Sequence, residues 1–156
     1  MSAAALVALC KARGLRVATA ESCTGGLVAG AITDIAGSSA VFTHGFVTYA
    51  NEAKTQMLGV PEATLAAHGA VSSETAAAMA IGARKHSGAD LAISTTGIAG
   101  PDGGSAQKPV GTVWFGLATP QGVTTYHRIF PGNREAVRSA SVDFALSLLQ
   151  EGGAET

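Results

Sequence analysis

Aromatic side chains make up only 5% of this chain and charged ones only 13%. With so few rings, a core drawn from 47% hydrophobic residues has to be aliphatic, built from Ala, Val, Ile and Leu. A basic excess is missing too: ten basic against eleven acidic residues leave a net charge of −1. Nucleic-acid binders carry a basic excess or a basic stripe. The expected partner is therefore a small molecule or a second copy of the chain, and no nucleic acid. Two cysteines, Cys10 and Cys23, are too few for a disulfide framework, and the four histidines stand far apart. No ligand spacing joins them, so no metal is expected. No run approaches the ~18 apolar residues of a membrane span. Leu6-Val7-Ala8-Leu9-Cys10 is short and has no basic region before it, which argues against a signal peptide. The chain reads as cytoplasmic, without membrane contact.

What is present fits one domain over residues 1–156, long enough to bury about two-thirds of its unfolded surface. Twenty glycines without a triplet period imply tight turns and close packing. An alanine-rich helix is predicted over 2–14, closed by Gly14. A short buried strand follows at 16–20. Leu27, Val28, Ile32 and Ile35 lie near helical spacing in a helix from Thr24 to about Ile35. After the Gly37-Ser38-Ser39 turn comes a strand at about 42–49. Asn51 then reads as the N-cap of a short helix carrying Lys54 in its first turn. Pro61 opens a helical piece to about Ala67. Ser72 or Ser73 starts a long helix to about Ser87, with an incomplete capping box. A strand at 90–95 leads into a glycine-rich loop from Gly97 to Pro109. A hairpin is expected at 110–119 and 123–130, turning at Pro120-Gln121-Gly122. The last helix follows Pro131-Gly132-Asn133 and runs to about Gln150, before a frayed tail. This order reads as α/β, a three-layer α/β/α sandwich with a mostly parallel mixed sheet of about five strands, one antiparallel.

Three of the strand-like runs end in polar residues. Arg16–Ala20 leads into Glu21-Ser22-Cys23-Thr24-Gly25-Gly26, Phe46–Tyr49 into Asn51-Glu52-Ala53-Lys54, and Leu91–Ser94 into Thr95-Thr96-Gly97. Ligands of open α/β sheets bind outside the carboxyl ends of the strands. If the three strands are parallel neighbours, Ser22, Tyr49, Lys54 and Thr96 meet in one crevice. A serine hydroxyl is a weak nucleophile until a base removes its proton, and a desolvated lysine can be that base. Taken alone, Ser22 reads as a helix cap, Lys54 as a solvated charge and Tyr49 as a packing residue. The scarcity of charge gives Lys54 more weight than usual. Cys23 is a rival nucleophile beside Ser22. Turn amides around Thr24, Gly25 and Gly26 suit a developing oxyanion, and the loop after Thr96 and Gly97 suits a phosphate. It matches neither the dinucleotide fingerprint nor the P-loop, so no cofactor is expected. Arg134 and Arg138 open the last helix, each a phosphate anchor or a surface charge.

Four segments together resemble the CinA C-terminal domain family: Thr19–Gly26, Gly45–Lys54, His68–Ser72 and Gly97–Gly104, extended by Lys108–Trp114. The resemblance covers about residues 5–150. It implies a cytoplasmic homodimer of α/β/α fold that hydrolyses nicotinamide mononucleotide to nicotinic acid mononucleotide and ammonia, in salvage of the pyridine ring into NAD. It also implies a serine–lysine dyad at Ser22 and Lys54, assisting or binding roles at Tyr49 and Thr96, and an arginine carried to Arg134, with Arg138 one turn away. Two other readings stay open. One is a non-catalytic nucleotide-binding module acting as a competence- or damage-related regulator, and the other an assembly protein.

Overall fold

A computed structural model describes residues 3–156. Its elements are α1 (Ala3–Arg13), β1 (Val17–Glu21), α2 (Leu27–Thr33), a 3₁₀ turn (Ser38–Ala40), β2 (Phe42–Val47), α3 (Asn51–Leu58) and α4 (Glu62–His68). After these come α5 (Ser73–Ser87), β3 (Leu91–Gly97), β4 (Thr112–Thr119), β5 (Gly122–Ile129) and α6 (Arg134–Glu155). The sheet order is β2-β1-β3-β4-β5, with β1 parallel to both β2 and β3. β4 is antiparallel to β3 and to β5, so it alone runs against the other four strands. The expected mixed sheet with one reversed strand is the observed one.

Several boundaries differ from the sequence reading, each for a local reason. Residue 2 of the first expected helix lies outside the described residues. α2 begins at Leu27 rather than Thr24, because Gly25 (φ +57°) and Gly26 (φ +105°) hold left-handed conformations that keep 22–26 in a turn. β2 stops at Val47, two residues early, where the chain swings towards α3. Asn51 is not the cap of α3 but its first residue; the cap is Ala50, with no side-chain bond. Pro61 caps α4, and the helix reaches His68. β3 extends to Gly97 because its pairing with β4 continues to Gly97↔Val113. The hairpin strands close on the Thr119↔Gly122 pair, leaving Pro120 and Gln121 as the turn. The tail is not frayed at Gln150. α6 runs on to Glu155, with Gly152 against the Leu117 side chain and Gly153 near Cys10 and Leu91.

The two faces of the sheet differ in side-chain size. Val17, Leu91, Ile93, Val113, Phe115 and Leu117 point into one core with α1, α2 and α6. Ala18, Ala20, Ala92 and Ala118 point to the other, against Met79, Ala80 and Ala83 of α5. Alternation of side chains along a strand puts the bulky and the small residues on opposite faces. The small face brings α5 close enough for Ser94 Oγ to donate to Ala76 O (2.6 Å) while accepting from Gly116 N (3.0 Å). α5 in turn seats α3. A Cβ on Gly82 would stand 1.9 Å from Leu58 O, so this crossing needs a glycine. α3 is the helix that carries Lys54.

β1 lies between β2 and β3, and the connections leaving β1 and β2 run over opposite faces of the sheet. Such a reversal opens a crevice at the carboxyl ends. Glu21 is level with both Val47 and Thr95. The ladder continues one residue further through Ser22 N–H to Thr95 O (2.9 Å) and Thr48 N–H to Glu21 O (2.9 Å). The three strand ends singled out from the sequence are therefore adjacent and flush.

Candidate active site

Ser22 is the first residue beyond β1. Its carbonyl accepts from Gly25 N–H (3.0 Å), and Thr24 O accepts from Leu27 N–H (3.0 Å), which folds 22–27 into a tight turn. Among the described residues, no protein acceptor takes the amides of Thr24 or Gly26, which leaves both without an intramolecular partner.

Lys54 is fully buried in the first turn of α3. Its Nζ donates to Ser22 Oγ (3.1 Å), Thr48 O (2.9 Å) and Tyr49 O (3.1 Å). The early end of β2 is what turns the last two carbonyls onto the amine. Among the described residues no carboxylate lies within 4.0 Å of it. Burial without a counter-charge lowers its pKa from the ordinary 10.5. The geometry also suits a neutral amine. Two N–H groups satisfy the two carbonyls, and the lone pair faces the Ser22 hydroxyl.

Cys23 behaves differently. Burial, chiefly, pushes its thiol up to about 12, with the Glu21 carboxylate adding to the shift; its own amide, Arg138 and Lys54 pull weakly the other way. A buried thiol with that pKa is inert at neutral pH. The rival nucleophile loses its case.

The other expected residues divide. Tyr49 is 60% exposed, and its hydroxyl accepts from Arg134 Nη2 (3.1 Å), while its carbonyl holds Lys54. What joins the pair is the tyrosine's backbone, not its ring. Arg134 also donates to Gly100 O (2.9 Å), tying the rim of the crevice to the glycine loop. Beside it lies a cavity of about 320 Å³ lined by Ala99, Pro101, Val110 and Asn133. Thr96 is buried, its hydroxyl donating to Ala70 O (2.7 Å) in the turn before α5. Gly97, the last residue of β3, has Thr112 O and Val113 packed so close that no side chain would fit. Thr24 is fully buried, with its hydroxyl on Glu21 Oε1 (2.6 Å) and Thr95 Oγ1 (2.7 Å). Its side chain is thereby committed to the scaffold.

Sequence reasoning missed Glu21. Its carboxylate is buried beneath the turn and accepts from Thr24 Oγ1, Val28 N (2.9 Å) and Ala29 N (3.0 Å). It ties β1, the serine turn and the start of α2 together. A negative charge at the amino end of a helix is favourable there. A glutamate directly after five strand-like residues, in a chain with so little charge, was the available signal.

The fold and the site define an α/β/α domain with a buried serine–lysine contact at the switch point of its sheet. The chain belongs to the CinA C-terminal domain family, which it matches over residues 1–152. It is 62% identical over 140 residues to nicotinamide-nucleotide amidohydrolase PncC of Escherichia coli K12, covering 89% of this chain and 85% of that protein. Among solved structures it is similar to competence/damage inducible protein CihA from Agrobacterium tumefaciens, with a TM-score of 0.92 and 51% identity over 94% of this chain and 90% of that one. A CinA superfamily protein from Klebsiella pneumoniae superposes with a TM-score of 0.94 and 40% identity, covering 99% and 96%.

Proposed function

We propose that this protein is a nicotinamide-nucleotide amidohydrolase, converting nicotinamide mononucleotide and water to nicotinic acid mononucleotide and ammonia. The observation that carries the reading is a buried lysine with no carboxylate within 4.0 Å among the described residues, its Nζ 3.1 Å from a serine hydroxyl at the strand end. The 62% identity to an amidohydrolase of that name supports the substrate class.

In this reading Ser22 Oγ attacks the carboxamide carbon and neutral Lys54 accepts the hydroxyl proton. The oxyanion forms against the turn amides, Thr24 and Gly26 among them, at roughly 3 kcal/mol per donor. The tetrahedral intermediate expels ammonia with the proton held by Lys54, leaving an ester on Ser22. A water then gives its proton to Lys54, attacks the ester carbon and releases the acid, and Ser22 recovers its proton. Thr48 O and Tyr49 O keep the amine aimed throughout, since both protonation states bond to them. Arg134, with Tyr49 and the glycine loop, would hold the 5′-phosphate at the rim. The chain would act as one domain in a cytoplasmic homodimer, serving pyridine nucleotide salvage. Among the described residues no helix is long and apolar enough to cross a membrane.

The test is ammonia release from nicotinamide mononucleotide in the presence of a chelator. Ser22→Ala and Lys54→Ala should each lose most of the activity, while Cys23→Ala keeps it. Ligand binding by calorimetry without any turnover would replace this reading with a regulatory one.

A further inference from the structure

Two arginines stand one turn apart on α6, and they face different things. Arg134 is exposed at the rim. Arg138 is half-buried, with Nε donating to Cys23 O (3.1 Å) and Nη2 to Thr24 O (3.3 Å). The guanidinium thus forks across the two peptide carbonyls that follow Ser22, about 115 positions away in the chain. Gly25 leaves room for it, since a Cβ there would stand 3.3 Å from Nη2. Among the described residues no carboxylate lies within 4.0 Å of Arg138, although Glu135, Asp34 and Asp143 line the same cavity of about 570 Å³ between α2 and α6. Its charge is directed at the turn instead. The fully buried Val137 and Ser141 fix the helix face that presents it.

A cation on a peptide carbonyl does two things. It fixes the peptide plane, and it polarises the N–H of the same amide. The peptide ending in Cys23 O is the one whose nitrogen belongs to Thr24, one of the two unengaged amides beside Ser22. We propose that Arg138 is a positioning residue that orients and polarises the turn after Ser22, so that the Thr24 amide donates more strongly to the oxyanion. The inference rests on the amidohydrolase reading and adds a function for a residue that would otherwise pass for a substrate anchor. Loss of an interaction realised only in the transition state lowers kcat and kcat/KM together and leaves KM in place.

The experiment compares the full chain with Arg138→Ala, Arg138→Lys and Arg134→Ala, reading kcat, KM and the thermal midpoint. Arg138→Ala should lose roughly 10- to 100-fold in kcat with KM within about threefold of wild type. Added guanidinium, at concentrations far below denaturing, should restore part of that kcat, as it would not for a loss of packing. Arg138→Lys should recover less than the arginine, because an ammonium has no planar fork. Arg134→Ala should mainly raise KM. A wild-type kcat in Arg138→Ala, a rise in KM alone, or a loss that guanidinium leaves untouched in the folded variant each overturns the proposal. Should Arg138→Ala fail to fold, Arg138→Lys decides, with unchanged kcat counting against. Absence of turnover in the wild type would sink the amidohydrolase reading and this inference with it. Turnover with Arg138 immaterial would sink the inference alone.

Discussion

Gly82 lies on α5, far from any reacting atom, yet its substitution tests whether the fold sets the serine–lysine contact. A methyl group at Gly82 would sit 1.9 Å from Leu58 O, 2.9 Å from Leu58 C and 3.1 Å from Leu58 Cβ. An ordinary contact needs 3.4 Å or more, so the two helices have to part by up to about 1.5 Å. The obstacle is backbone, which no rotamer change relieves. α5 is pinned to the sheet by the Ser94–Ala76 bond, so α3 is the helix that gives. Leu58 and Lys54 are one turn apart on α3, and the 3.1 Å contact with Ser22 moves with them. A displacement of about 1 Å at a reacting group costs on the order of 10²-fold in rate. Alanine would gain up to ~1 kcal/mol of helix propensity, while overpacking costs about 1–3 kcal/mol, so the fold should survive, weakened. Gly82→Ala is therefore expected to remain folded by circular dichroism, melt lower, and lose about two orders of magnitude in ammonia release. Wild-type kcat in a folded Gly82→Ala protein would refute the claim that this crossing aims Lys54.

Two further outcomes follow from the buried charges. Lys54 titrates below 10.5 because burial disfavours its cation, so kcat/KM should rise with pH as the amine becomes neutral, and that limb should vanish in Lys54→Met. The same group makes wild-type stability climb as pH rises from the lowered pKa towards 10.5, since the unfolded chain there binds the extra proton; chemical denaturation of Lys54→Met across that window should show the climb removed. Glu21→Gln keeps the shape beneath the serine turn but removes the charge that accepts from Thr24, Val28 and Ala29. It should cost about 1.5–3 kcal/mol in denaturant unfolding, the range for hydrogen bonds to a charged group, and an unchanged midpoint would show that a neutral amide serves equally well.

What was legible in the sequence, and what was not, divides by the range of the forces involved. Strand ends, helix periods and the α/β order are local properties, so parallel neighbouring strands are enough to bring Ser22 and Lys54 to one edge of the sheet. The proposed base is also legible, because a chain with so few charges has few lysines to choose from. Tertiary packing decided the rest. The tail after Gln150 reads as frayed, yet α6 passes through Gly152 and Gly153 because Leu117, Cys10 and Leu91 lie against a bare backbone there. Arg134 and Arg138 look alike in sequence, and only the path of the serine turn separates a rim cation from one seated on Cys23 O and Thr24 O.

The same logic explains why the site is built around an amine. Glu21, Thr24 and Thr95 satisfy one another below the turn, and Arg138 satisfies the carbonyls beside it. Glu21 and Arg138 are thereby held by hydrogen bonds within the scaffold. Lys54 is left with two carbonyls, a hydroxyl and, among the described residues, no counter-ion. That arrangement makes its cation expensive and favours the neutral amine, the form the proposed general-base role requires.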